Sequence, residues 1–238
     1  MVTDYVIEII GKRIAGDIVW SSDIGASLRK WRNIFRVSQS ELARALGVAT
    51  SVINNYEKNK RSPGARFVKK YVDALIKIDA ERGWVVIKDL MRGININPLA
   101  IIDIGEYDYP VKLDEVVTVV KGVLVNSVFQ IRPLYGYTVI DSINAIQLLS
   151  GNEFIQIMGA TSERILVFTK VSTGRSPMIA IRVAPIKPAA VIFHGSKRID
   201  PLAIVLADKE SIPLILSTAS NIDELTKSLR ELKYRVSY

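Results

Sequence analysis

VSQSELARALGVATSVINNYE, residues 37–57, sets two short apolar patterns at helical spacing on either side of a single glycine. Ser38 has the side chain to cap a first helix, and Glu41 stands three positions on to close a capping box. Leu42, Ala43 and Leu46 then fall on one face. Gly47 gives the backbone its exit from that helix, and Val48 plugs the corner. A second helix begins at Ala49 or Thr50, with Val52, Ile53 and Tyr56 turned inward. Its outward face is polar and uncharged: Thr50, Ser51, Asn54 and Asn55 suit base edges and project from the first two turns of a helix sized for a major groove.

This is the sequence form of a helix-turn-helix, and from about Ile24 to Ile78 the chain resembles the Cro/CI-type (XRE-type) regulators, specifically the archaeal ones. The resemblance rests on Gln39 at the start of the first motif helix, Leu42-Ala43 within it, Gly47-Val48 at the turn, Ile53, Tyr56 and Glu57 in the second helix, and Pro63 beyond. It implies base contacts from Thr50, Ser51 and Asn55, with Asn54 beside them, and phosphate contacts from Gln39, Lys58 and Lys60; Arg61, next in the same basic turn, joins the candidate phosphate set. It also implies an ion pair between Arg32 of the preceding helix and Glu57. Lys58-Asn59-Lys60-Arg61 departs from the family's common Asn-Gly turn and is more basic.

The charge distribution agrees with this placement. The formal net charge is +8 over 238 residues. Residues 1–94 hold 17 Lys/Arg against 10 Asp/Glu, whereas the remaining 144 hold 15 against 14. Between Arg29 and Lys70 there are 11 basic residues and only two acidic ones, Glu41 and Glu57. A focused basic field of this kind is what phosphate binding and counterion release require; a merely solvated surface would intersperse acids.

Working outward, Asp4 to Val19 places Val6, Ile9, Ile10, Ile14 and Ile18 at helical spacing, a helix that packs on the core or on a second subunit. Ser21-Ser22-Asp23 caps a helix over Ile24 to Arg36, with Leu28, Trp31 and Phe35 facing the motif. Ser62-Pro63-Gly64 opens a long helix ending near Gly83, and Trp84 to Arg92 forms one more. Gly93 to Pro98 is the linker candidate, so the chain divides into 1–94, a DNA-binding bundle, and 95–238, an α/β regulatory, ligand-sensing or dimerisation domain. The fold class is α + α/β.

In the second region the expected strands are Tyr137 to Ile140, Ile165 to Thr169, Met178 to Val183, Ala189 to Phe193 and Pro213 to Leu216. Helices are expected over Leu113 to Leu124, Ser142 to Leu149, Asn152 to Met158, Asp200 to Lys209 and Ile222 to Leu232. The last four elements read as β-α-β-α, which favours parallel pairing.

Lys170-Val171-Ser172-Thr173-Gly174-Arg175-Ser176-Pro177 gathers hydroxyls and two cations around a glycine. One reading is a cradle for a small anionic effector, with Lys170, Ser172, Thr173, Gly174, Arg175 and Ser176 as ligand contacts; the other is a hairpin loop. His194, the single histidine, ends a strand where open α/β sheets bind ligands, and it joins the candidate set. With no cysteine and one histidine, neither a transition-metal site nor a cofactor is expected. No stretch has the apolar length of a membrane span, and Asp4 and Glu8 argue against a signal peptide, so a cytoplasmic protein is expected.

The leading reading is a DNA-binding transcriptional regulator and not an enzyme: a homodimer on double-stranded DNA, controlled through its second domain. Two rivals remain. One is a metabolite-processing α/β enzyme with a helix-turn-helix appendage; the other is an antitoxin-like partner-binding module.

Overall fold

The structure is a computed structural model that describes residues 2–93, 99–151, 153–154 and 162–234. It divides into two compact units, Met1–Asn95 and Ile96–Tyr238. The architecture is a helical N-terminal unit followed by an α/β unit built on a mixed sheet.

The first unit contains α1 (Asp4–Trp20), α2 (Ile24–Ile34), α3 (Gln39–Leu46), α4 (Thr50–Glu57), α5 (Ala65–Glu81) and α6 (Val85–Gly93). Its core joins Leu28 and Phe35 to Leu42 of α3, Ile53 of α4 and Val68, Tyr71 and Leu75 of α5, all buried. Tyr5, Ile10, Ile14 and Ile18 of α1 are buried too, and α1 packs on α5. This places α1 against its own core.

The three central helices end in the same way. Arg36, Gly47 and Asn59 take left-handed backbone angles, with φ of 53°, 67° and 54°. The following N–H then reaches back five residues: Val37 to Arg32, Val48 to Ala43 and Lys60 to Asn55, at 3.0, 2.9 and 2.9 Å. Such closures satisfy carbonyls that would otherwise lack partners, and they fix the angle at which the chain leaves each helix.

The second unit runs β1 (Ile101–Val111), α7 (Leu113–Val119), β2 (Gly122–Leu124), β3 (Leu134–Asp141), α8 (Ser142–Leu148), β4 (Arg164–Thr169), α9 (Arg175–Val183), β5 (Ala190–His194), α10 (Pro201–Lys209), β6 (Leu214–Ser217) and α11 (Ile222–Glu231). A short 3₁₀ turn, Leu232–Tyr234, follows. The sheet order is β1-β3-β4-β5-β6-β2. The four central strands are parallel, with β1 and β2 antiparallel at the edges. Tyr137, Val139, Ile165, Val167, Ile192 and Ile215 share a buried cluster with Val116 of α7 and Leu225 and Leu229 of α11. Alternation along the strands sends Ile140, Phe168 and Phe193 to the opposite face. The β5-α10-β6 crossover is parallel, as its order of elements requires.

Several expectations need correction. Met178 to Val183 is not a strand but the body of α9: Pro177 fits the first turn, and Met178 and Ile181 are buried at a three-residue spacing. A short apolar run suits either element, and the helical period decides here. Residues 170–174 are consequently a strand-to-helix connection between parallel strands, and 175–177 the first turn of α9, not a hairpin loop. The helix expected over Leu113 to Leu124 stops at Val119, because Lys121 takes φ 49° and Gly122 opens β2. β1 and β2 escaped the reading altogether. The linker at Gly93 to Pro98 lies, after Gly93, outside the described residues, and so does the helix of Asn152 to Met158 except at 153 and 154.

Candidate nucleic-acid interface

The interface is built on one buried carboxylate. Glu57, the last residue of α4, has a fully buried side chain that receives Arg32 Nε at 2.6 Å and Nη2 at 2.9 Å, and Gln39 Nε2 at 2.8 Å. Arg29 adds a contact at 3.7 Å to the carboxylate and donates to the Glu57 carbonyl at 3.2 Å. Burial pushes the Glu57 carboxyl up, but the Arg32 and Gln39 hydrogen bonds and the guanidinium charges outweigh it and hold it below the ordinary carboxylate range. One ion thus locks α2, α3 and α4 together. The Gln39 amide, read from sequence as a phosphate contact, is oriented by this lock at the start of α3.

Around the lock, the exposed groups are uncommitted. Thr50 and Ser51 are exposed, and Asn54 and Asn55 are half-buried on α4. None of their side chains hydrogen-bonds to another described residue. Lys58, Lys60 and Arg61 are exposed just beyond the helix. Among the described residues, Arg29, Lys30 and Arg32 pair with carboxylates. Arg36, Arg44, Lys58, Lys60, Arg61, Arg66, Lys69 and Lys70 do not pair with any. Thr50, Ser51, Asn54 and Asn55 therefore lie on α4, with Lys58, Lys60 and Arg61 on the turn that follows it and the other unpaired cations on neighbouring elements.

Sequence reasoning missed Asn59. Its Oδ1 accepts the Gly25 N–H at 2.9 Å, and its Nδ2 donates to Asp23 Oδ1 at 2.7 Å, tying the end of α4 to the start of α2. Gly25 is required there, because a Cβ would stand 2.7 Å from both Asn59 Oδ1 and the Tyr56 carbonyl. The signal was present: asparagine directly after a helix tolerates the left-handed angle. Lys58 and Lys60 flank this clamp and are positioned by it.

The second candidate set is arranged differently. Lys170 Nζ lies 2.6 Å from Asp141, and Arg175 lies 2.9 Å from Asp200. The Thr173 carbonyl accepts the Asp200 N–H, and the Ser172 carbonyl accepts the Ser196 hydroxyl. Gly174 takes φ 81°, and a Cβ there would fall 2.1 Å from the Phe193 ring. Ser176 is exposed in the first turn of α9. His194 is buried at the end of β5, its Nδ1 lacks a partner, and burial holds its pKa below the ordinary value against a smaller pull from Glu224. The candidates thus gather at the carboxyl ends of β4 and β5, with both cations already matched by acids. Among the described residues no cluster of three or more His, Asp or Glu could hold a metal ion. No helix among them is long and apolar enough to cross a membrane.

Comparisons with known proteins concern the helix-turn-helix region and the whole chain. A helix-turn-helix family model matches residues 28–78. The chain is 46% identical over 223 residues to an uncharacterized HTH-type transcriptional regulator of Archaeoglobus fulgidus, covering 93% of this chain and 96% of that one. It is also 46% identical over 225 residues to another such regulator, from Methanocaldococcus jannaschii, covering 92% and 93%. Among solved structures, the CBS and DRTGG domains of the regulatory region of Clostridium perfringens pyrophosphatase, complexed with diadenosine tetraphosphate, align with 52% of this chain and 50% of their own. The TM-score is 0.39 at 12% identity, too low to carry an argument.

Proposed function

The chain belongs to the family of HTH-type transcriptional regulators and is a DNA-binding regulator of transcription; from that premise we propose that α4 reads its operator, that two copies bind together, and that the second unit governs them. The observation that carries the reading is the uncommitted face of α4. Among the described residues Thr50, Ser51, Asn54 and Asn55 have no side-chain hydrogen-bond partners, so bonds to base edges exchange only water and cost no contact within the fold. Lys58, Lys60, Arg61 and the oriented Gln39 amide meet phosphates and set the register. Each cation that neutralises a phosphate releases counterions, so affinity falls steeply with salt while sequence discrimination stays with α4.

Two copies related by a twofold axis would read half-sites about one helical turn, or ~10 bp, apart. In this reading the second unit carries out no reaction, and the protein works in the cytoplasm beside its DNA. By linkage, an effector that weakens DNA binding must itself bind the DNA complex more weakly. Selection of bound fragments from a random DNA pool tests the proposal. The expected outcome is one enriched inverted repeat with that spacing; enrichment of nothing beyond nonspecific DNA would contradict it.

A further inference from the structure

Between α8 and α9, over the carboxyl ends of β3 and β4, lies a cavity of about 420 Å³. Phe168 lines it from the sheet, Ala145 and Ile146 from α8, and Ala180 and Val183 from α9. Phe154 also lines it, its ring stacked on Phe168 at 6.4 Å between centroids. Ile146 and Val183 of the lining are 72% and 78% exposed, apolar surface that the described residues leave uncovered. Among the described residues, no lining side chain is charged. Ser142 is also among the lining residues, and it is the informative member. The residue is only 7% exposed, yet its hydroxyl has no hydrogen-bond partner among the described residues. A buried hydroxyl without a partner costs free energy, and an occupant able to hydrogen-bond would recover it once rotation about the Ser142 Cα–Cβ bond brings Oγ to the cavity.

We propose that this cavity binds a small, neutral, flat and largely apolar molecule, anchored by one hydrogen bond to Ser142. The volume is in the range of small-molecule sites, and the place is where ligands enter open α/β sheets. The aromatic lining favours a ring offset against Phe154 or Phe168. This differs from the small anion expected at Lys170 and Arg175, whose charges Asp141 and Asp200 already balance. The site stands on the cavity itself; only its control of DNA binding rests on the proposed function.

The test uses the full chain with ¹³C-labelled alanine and isoleucine methyls, titrated with indole and, separately, toluene. Both probes should give saturable shifts of the Ala145, Ala180 and Ile146 methyls, and Ala180→Trp should abolish them. Ser142→Ala should weaken indole about five-fold, the loss that one neutral hydrogen bond carries, and leave toluene unweakened. The toluene arm guards against a variant that merely disturbs the fold. Absence of saturable shifts with both probes would overturn the site, as would shifts that survive a folded Ala180→Trp. Equal weakening of both probes by Ser142→Ala would overturn the anchor. Operator affinity with and without saturating indole separates the second question. A change supports coupling to DNA, whereas saturated binding with unchanged affinity leaves the site intact and overturns its regulatory role.

Discussion

Lys58 and Arg175 are both exposed cations beside a helix end, and they differ in their company. Arg175, in the first turn of α9, lies 2.9 Å from Asp200. Lys58, at the end of α4, has no carboxylate partner among the described residues, and neither do Lys60 and Arg61 beside it. The second unit holds both kinds of cation: Lys112, Lys197, Arg198 and Lys209 have no carboxylate partner among the described residues, but others do. Lys121, Arg164, Lys170, Arg182 and Arg230 of the second unit each meet an acid. A matched cation braces the fold and has little field left to offer. An unmatched one repels its neighbours until a polyanion arrives, so its charge is available for binding. The whole-chain charge of +8 does not reveal this distinction; the pairing does.

The most disruptive way to probe the contrast is at the buried ion pair of the first unit. Glu57→Ala leaves Arg32 with an uncompensated charge, and the first unit should lose about 3–5 kcal/mol of stability. Denaturant unfolding followed by tryptophan fluorescence reports on that unit alone, since Trp20, Trp31 and Trp84 all lie in it. A loss below about 1 kcal/mol would mean that the lock is not structural. Next comes Lys58→Ala, which should weaken binding to every sequence alike and shallow the salt slope by about 0.9. A sequence-selective loss would move Lys58 from phosphate to base.

A pH series sharpens the comparison further. Glu57 titrates below its unfolded value, so its contribution is complete above the ordinary carboxylate range and is lost as pH falls through its lowered folded value. His194 is also lowered, by burial, so folding favours its neutral form. The stability of the second unit should begin to fall once pH drops below about 6.5, the unfolded histidine value, and His194→Gln should remove that phase. Loss of both units over one common pH range would refute the separation. The smallest effect is expected for Arg175→Ala: about 0–1 kcal/mol in the second unit, with an unchanged salt slope for DNA. A shallower slope there would show that its charge is not confined by Asp200.

How much of this was legible in the sequence follows from the range of the interactions. Ser38 accepting the Glu41 N–H, Gly47 in the left-handed region and the inward Ile53 are local features, visible in the order of residues. The Glu41 carboxylate, however, pairs with Arg82 at 2.7 Å, 41 residues away, a partner that no spacing rule supplies. In the second unit the central strands β3 to β6 were legible as apolar runs. β1 was not, because its apolar alternation is broken by Gly105, Glu106 and Pro110 and its partner β3 begins more than 20 residues later. α9 was misread for want of length: its run of apolar residues from Met178 suits a strand, and only packing under Gly174 and Pro177 decides for a helix. The cavity over β3 and β4 left no local trace, because Ser142, Phe168 and Ala180 come together only through the parallel crossover.

The central claim is that α4 discriminates sequence while the cations around it supply affinity. The direct measurement is binding of Thr50→Ala/Asn55→Ala to the selected operator and to a scrambled duplex of equal length, at one salt concentration. Affinity for the operator should fall by roughly ten-fold or more, while affinity for the scrambled duplex stays the same, as expected when base contacts worth about 1–3 kcal/mol each are lost. An unchanged ratio of the two affinities would contradict the account.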